Sequence, residues 1–343
     1  MNARVDTVSH PASSRQGRVS GVWGRLWAYV KLLRPLTLLQ LAVIVCSARW
    51  GVLFPLLRSA GIPVHTPMLV VVWIAVAVLL LAASAFAFND YHDRHIDAAN
   101  PTRKHLLGTT LHRSTALMTY TLFSIGALIA GLISALAVHR WWLALLFPLA
   151  GGLLWFYSTV YRRIFLLNHM IIALLVALLP VVLLVYELYY LDYTVWAYVS
   201  VKSISVIPAA QGLLLYAAML LVVKFTCEVI RSMRNFVAEQ HLDCDTLPVR
   251  YGLRNSAIVV IVLALCAGMV TAIMGMQLMG QVAESQFGLS QWAYTLLLLV
   301  LPAVGGLATM QLARNTAQYS WALRLWECLV TFCALYPFIL LHG

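Results

Sequence analysis

Polar residues are scarce along this chain, and their placement divides it into long apolar runs. Nine such runs fall at roughly 36–57, 68–88, 115–138, 142–159, 166–187, 204–224, 255–279, 292–311 and 321–341. Each is long enough to cross a ~30 Å hydrocarbon core as a helix, and a helix satisfies its own backbone polar groups there. The pattern predicts an all-α polytopic membrane protein with nine transmembrane helices. Residues 1–30 read as a polar N-terminal tail, and 31–343 as a single nine-helix domain. The first 20 residues contain Ser and Arg but no apolar core segment, so they predict a disordered tail and not a cleaved signal peptide.

Composition agrees with this. Of 343 residues, 62% are hydrophobic and 10% charged, with a mean hydropathy of +0.86; soluble domains carry about 25% charged residues. The net charge of +11 raises the question of a nucleic-acid partner. Its distribution points elsewhere. If the spans alternate, 19 of the basic residues fall on the side of the N-terminus and 3, Arg58, Arg140 and Lys202, on the other. By the positive-inside rule this predicts a multi-pass protein of the inner (cytoplasmic) membrane, N-terminus in the cytoplasm and C-terminus outside. The expected partner is a lipid bilayer, with no nucleic acid. Six cysteines form no CxxC pair and read as small buried hydrophobes.

Seven of the twelve acidic residues sit in two segments that both follow even-numbered spans, 89–114 and 225–254. The first opens with "NDYHDRHIDAANP". If the second span continues as a helix, Asp90, Asp93 and Asp97 fall within about 60° of arc, flanked by Asn89. Like charges so close repel and call for a cation. Hard carboxylate and amide oxygens suit Mg²⁺, which takes one or two carboxylates together with phosphate oxygens and water. On spacing alone, a metal-bridged phosphate site and a solvated acidic helix end both stay open. The second segment reads "KFTCEVIRSMRNFVAEQHLDCDTLPVRYG". On a continuous helix Glu228, Ser232, Asn235, Glu239 and Asp243 share one face, with Arg231 and Arg234 beside it. Such a face could hold a second Mg²⁺ and clamp a diphosphate, with the arginines as bidentate phosphate ligands; an ordinary amphipathic helix is the alternative.

Four ordered stretches carry a resemblance. "NDYHDRHID" matches the NDxxDxxxD signature of the UbiA superfamily of intramembrane prenyltransferases. "LRPLT" (33–37) resembles its RPxN opening, with Thr37 in place of Asn. "WFYSTVYRRIFLLN" (155–168) resembles YSxxLKR…N, and "TLPVRYG" (246–252) resembles TLPVxxG. The resemblance covers the chain after residue 30. It implies a nine-helix bundle around a central cavity, with both acidic loops cytoplasmic. It also implies a Mg²⁺-dependent enzyme that moves an isoprenyl chain from a polyprenyl diphosphate to a lipophilic acceptor, such as an aromatic quinone precursor or a glycerophosphate-type lipid precursor. Asn89, Asp90, Asp93 and Asp97 then form the first metal site, and Arg163 faces the diphosphate, helped by Arg103, Lys104 and Arg231.

The second motif departs from the family's DxxDxxxD. Counting back from Thr246, its positions hold Ser232, Asn235 and Glu239, so one carboxylate remains in register. Three outcomes stay open. Glu239 and Asp243 form a shifted catalytic and metal site; or one Mg²⁺ with Arg231 and Arg234 neutralises the diphosphate; or the protein is an inactive relative. Glu228 is better placed to orient an arginine. A transporter or lipid-binding protein is the rival class, and it leaves the ordered motifs unexplained. Trp155, Phe156 and Tyr157 are candidates to face an allylic cation, or are interface anchors. His92 and His95 lack a third zinc ligand. Arg49 lies inside the first span, bound to an anion or snorkelling outward, and Glu327 is expected to pair with Arg324. No candidate base stands out, and oligomeric state is not legible.

Overall fold

A computed structural model describes residues 21–62, 66–93, 107–108, 110–190, 207–241, 243–281, 289–311 and 319–342. Among the described residues nine helices are long and apolar enough to cross a membrane. A short helix, α1 (Val22–Leu32), precedes them. The expected tail thus falls mostly outside the described residues, and its last stretch, from Val22, is helical.

The spans are α2 (Pro35–Ser59), α3 (Met68–His92), α4 (Arg113–Ala137), α5 (Trp141–Thr159), α6 (Leu167–Tyr190), α7 (Ile207–Arg234), α9 (Leu247–Gln281), α10 (Leu289–Gln311) and α11 (Tyr319–His342). Between α7 and α9 lies the short α8 (Phe236–His241). α7 is the central element. It packs against α6, α9 and α11, and 67% of its apolar window is buried, against 17% for the peripheral α5. Along α7, Leu213, Tyr216, Leu220, Val223 and Cys227 recur at helical spacing and join the main core.

α2 is composite: its middle, Ser47–Leu53, is π-helical. That widened turn lays Gly51 against α11, where an added Cβ would sit 2.7 Å from the Phe338 backbone nitrogen, so only glycine allows the approach. The same turn carries Arg49. Its Nη1 donates to Glu187 Oε2 of α6 at 2.5 Å and its Nη2 to the Thr66 carbonyl at 2.7 Å. The charge inside the first span is therefore answered by a carboxylate, as bilayer energetics demand.

The spans match their sequence-based boundaries except at the two acidic segments. α3 continues to His92 and α7 to Arg234, because polar residues at a helix mouth prolong the backbone ladder instead of ending it. Within the described residues the first segment is helical only to His92, and the second is not one continuous helix. α3 stops with Asp93 as its C-cap; Asp97, Arg103 and Lys104 lie outside the described residues. α7 breaks at Asn235, and Asp243 adopts a left-handed conformation, φ 51°. Asp243 therefore leaves the shared face that regular helix geometry assigned to it, and its side chain is exposed.

Candidate active site

Successive spans alternate direction, so the C-terminal ends of α3 and α7 and the N-terminal end of α2 meet at one end of the bundle. The turn "LRP" makes the first contact. Arg34 takes φ 51°, and Pro35 starts α2 at its first position, where a proline costs no hydrogen bond. This turn aims the guanidinium across to α3. Arg34 Nη2 lies 2.5 Å from Asp90 Oδ1, and the guanidinium carbon sits 5.0 Å over the Phe86 ring. One turn later Asn89 Nδ2 donates to Asp93 Oδ2 at 2.5 Å, while the Asp93 N–H donates to the Asn89 carbonyl. Asp93 is buried. Arg34 is a site residue the motif comparison touched without assigning; its partner lies 56 residues away, beyond the reach of spacing arguments.

The second segment is organised differently. Glu239, on α8, is buried, and its Oε2 accepts hydrogen bonds from the Ser232 and Thr246 hydroxyls. Ser232, which stands where the family carries a carboxylate, thus braces the one that remains. Asn235 is also buried and turns the chain between α7 and α8, its N–H donating to the Arg231 and Ser232 carbonyls. The loop then docks on the α5–α6 turn: the Asp245 N–H donates to the Arg163 carbonyl at 3.0 Å. Arg250 bonds Asp245 at 2.7 Å and stacks 4.4 Å over Phe165. Gly252, φ 82°, then redirects the backbone into the long part of α9. Arg163 itself is exposed.

One turn or more deeper, Glu228 is buried among cations. Arg231 Nη1 bonds it at 2.5 Å and Lys224 Nζ lies 3.4 Å away. Arg231 Nη2 reaches on to Glu327 of α11 at 3.4 Å. Glu228 orients an arginine, as expected. Glu327 pairs with Arg231 and not with Arg324, because α11 packs against α7 and presents that face to it. His92 packs edge-on against Phe88, ring centroids 4.5 Å apart.

Tyr157 lies at the end of α5 and reaches the start of α6. Its hydroxyl lies 3.5 Å from Asn168 Oδ1, and its electrostatic surroundings include Glu228, Arg231, Glu239 and Arg34 together. An apolar cavity of 190 Å³, lined by Leu81, Phe88, Tyr120, Phe147 and Trp155, lies between α3, α4 and α5. At ~100° per residue its lining positions on α3 face roughly opposite to Asp90.

The donor set suits a hard divalent cation: Asp90, Asp93 and Asn89 offer carboxylate and amide oxygens at one helix mouth. Among the described residues no three His, Cys, Asp or Glu side chains gather as a closed metal cage. Mg²⁺ is commonly bound through one or two carboxylates together with phosphate and water.

The model of the UbiA prenyltransferase family matches residues 44–329. A digeranylgeranylglyceryl phosphate synthase of Methanothrix thermoacetophila is 45% identical over 71 residues, a match that spans 20% of this chain and a quarter of that relative. A solved digeranylgeranylglyceryl phosphate synthase structure superposes with a TM-score of 0.53 at 14% identity, covering 93% of this chain and 99% of that one. A UbiA homologue from Archaeoglobus fulgidus, bound to DMAPP and Mg²⁺, gives 0.56 at 12% identity, covering 91% and 98%. At these identities the solved structures speak to the fold.

Proposed function

The chain belongs to the UbiA prenyltransferase family, and we propose that it is an active Mg²⁺-dependent prenyltransferase whose acceptor is a glycerophosphate-type lipid precursor. The observation that supports this reading is a buried carboxylate held in place in each acidic segment, Asp93 by Asn89 and Glu239 by Ser232 and Thr246. The local match to a digeranylgeranylglyceryl phosphate synthase supports the acceptor class, and the Mg²⁺-bound relative supports the cofactor. The charge asymmetry supports an inner-membrane location with this end of the bundle in the cytoplasm.

In this reading Asp90, Asp93 and Asp97 hold Mg²⁺, with Asn89 fixing Asp93. A Mg²⁺ held there would supply charge neutralisation for the departing diphosphate. Arg34 keeps Asp90 in place. Glu239, held by two hydroxyls, faces the diphosphate from the other side, with Asn235 beside it. Arg163, Arg103 and Lys104 supply further positive charge from the surrounding loops. The allylic carbon loses its oxygen with the electron pair going to diphosphate, and the acceptor's hydroxyl oxygen bonds to that carbon and releases its proton to solvent. Tyr157 and its aromatic neighbours Trp155 and Phe156 line the mouth, where ring faces favour a cation.

The reduced second motif favours one alternative, a relative that binds prenyl diphosphate without turning it over. The test is transfer of label from geranylgeranyl diphosphate to geranylgeranylglyceryl phosphate by the purified protein, in Mg²⁺ or EDTA. A Mg²⁺-dependent doubly prenylated product, lost in Asp93→Ala, is expected. A product only with an aromatic quinone precursor overturns the acceptor class. Donor binding without product from either acceptor overturns the activity.

A further inference from the structure

We propose that α1 seats in the headgroup region of an anionic bilayer, and that this seating sets how firmly the first acidic segment holds its ligand; the second half rests on the transferase reading above. α1 has two faces. Ala28 and Leu32 point into the bundle and are buried. At ~100° per residue, Val22, Trp23, Leu26 and Trp27 fall on the far side. All four are exposed, Trp23 at 82% and Trp27 at 61%. Arg25 and Lys31 take opposite flanks between the two faces, and the helix carries no acidic residue. Lys31 Nζ stands 5.5 Å from the centre of the Trp27 ring.

An outward apolar stripe rich in Trp and edged by cations is the pattern of a helix lying in the membrane–water boundary. Trp rings settle at that depth, and cations near the surface are drawn to anionic headgroups. The connection agrees. Only Leu33 and Arg34 separate α1 from Pro35, the first residue of a membrane span, so α1 lies close to the level where that span enters the bilayer. A second copy of the chain is a poorer occupant: four side chains fall far short of the roughly 20–30 residues a side of a stable protein interface.

The inner face reaches the candidate site. Ala28 and Leu32 form one buried cluster with Ala87 and Leu111, and Tyr29 and Leu107 pack against it. Ala87 lies two residues before Asn89. Leu107 and Leu111 belong to the far end of the same acidic segment, where the Gly108 N–H donates to the Leu111 carbonyl at 2.8 Å just ahead of α4. The Tyr29 hydroxyl lies 3.2 Å from Thr119 Oγ1 of α4. Two residues beyond α1, Arg34 pairs with Asp90. α1 thus touches the first acidic segment at both described ends and leads directly into the arginine that holds its first carboxylate. A shift of α1 in the bilayer moves all of these contacts together. Lipid can bias the segment only by as much as it favours one position of α1 over another.

The experiment places the full chain in nanodiscs of phosphatidylcholine, with or without phosphatidylglycerol. It compares wild type with Arg25→Gln/Lys31→Gln and Trp23→Ser/Trp27→Ser. Three quantities are read: Mg²⁺-dependent affinity for geranylgeranyl diphosphate, the unfolding temperature, and quenching by brominated lipid of the fluorescence that wild type has and the Trp variant lacks. A basic residue near an anionic surface is worth about fivefold. Wild type is expected to bind donor about fivefold more tightly when phosphatidylglycerol is present, and its Trp23 and Trp27 signal to be quenched. Arg25→Gln/Lys31→Gln should respond to phosphatidylglycerol less than about twofold. Trp23→Ser/Trp27→Ser should bind donor more weakly in both lipids at an unchanged unfolding temperature. An unquenched signal overturns the seating, as does self-association of wild type that the Trp variant loses. Quenching with donor affinity indifferent to phosphatidylglycerol, or a lipid response that survives in Arg25→Gln/Lys31→Gln, overturns the coupling. Quenching and lipid-dependent donor binding without product from any acceptor overturns the transferase reading and leaves the role of α1 standing.

Discussion

The two acidic segments use carboxylates in opposite ways. At the mouth of α3, Asp90 and Asp93 are steadied from outside, by the guanidinium of Arg34 and the amide of Asn89. Beyond α7, Glu239 is the one carboxylate left in the family's register, and hydroxyls hold it on the oxygen named above. Ser232 is one of those hydroxyls, at a place where the family carries Asp. The comparison teaches that a carboxylate lost from a metal site need not leave a gap: the shorter side chain can serve as a donor to the carboxylate that stays. In this account the first segment holds the metal and the second grips the diphosphate with little metal of its own.

The largest expected effect breaks the first segment. Asp93→Ala should lower kcat/KM for the donor at least 10³-fold, about 4 kcal/mol of transition-state stabilisation, with Mg²⁺ no longer enhancing donor binding. Retained Mg²⁺ dependence in that variant would place the metal elsewhere. Arg34→Ala sharpens the same side. It leaves Asp90 without its partner at 2.5 Å, and a loss of about 10–100-fold in kcat/KM is expected, mostly through KM. Equal losses in thermal stability and activity would instead make Arg34 a structural pin.

On the second side, Glu239→Gln should cost about tenfold, since the amide still accepts a hydroxyl but carries no charge. A loss as large as that of Asp93→Ala would give Glu239 a metal of its own and erase the contrast between the segments. Smallest is Thr246→Val, which removes one hydrogen bond at 2.8 Å and should cost about 1 kcal/mol of stability, with a change in kcat below about fivefold. Calorimetry of unfolding together with initial rates checks both.

Much of this architecture was legible before any coordinates. Twenty-residue apolar runs leave a helix little choice in lipid, so the spans were placed to within a few residues except where polar side chains prolong them. The acidic positions were visible too, since carboxylates at a membrane helix mouth are conspicuous. What spacing missed are contacts between distant segments. Arg34 with Asp90, Arg231 with Glu327, and Arg49 with Glu187 depend on how helices pack, and each pairs residues far apart in sequence. The break at Asn235 was also hidden. An amphipathic pattern can run on through a turn, so regular periodicity placed Asp243 on a face that the chain abandons eight residues earlier.

The central claim is that the two segments grip one diphosphate. A double-mutant cycle tests it, with Asp93→Asn, Glu239→Gln and the pair, measured as calorimetric binding of geranylgeranyl diphosphate in Mg²⁺. If both side chains act on the same ligand, the losses should fail to add by about 0.5 kcal/mol or more, the size seen for residues in one network. Losses that add within about 0.3 kcal/mol, or binding indifferent to Glu239→Gln, would contradict a shared site.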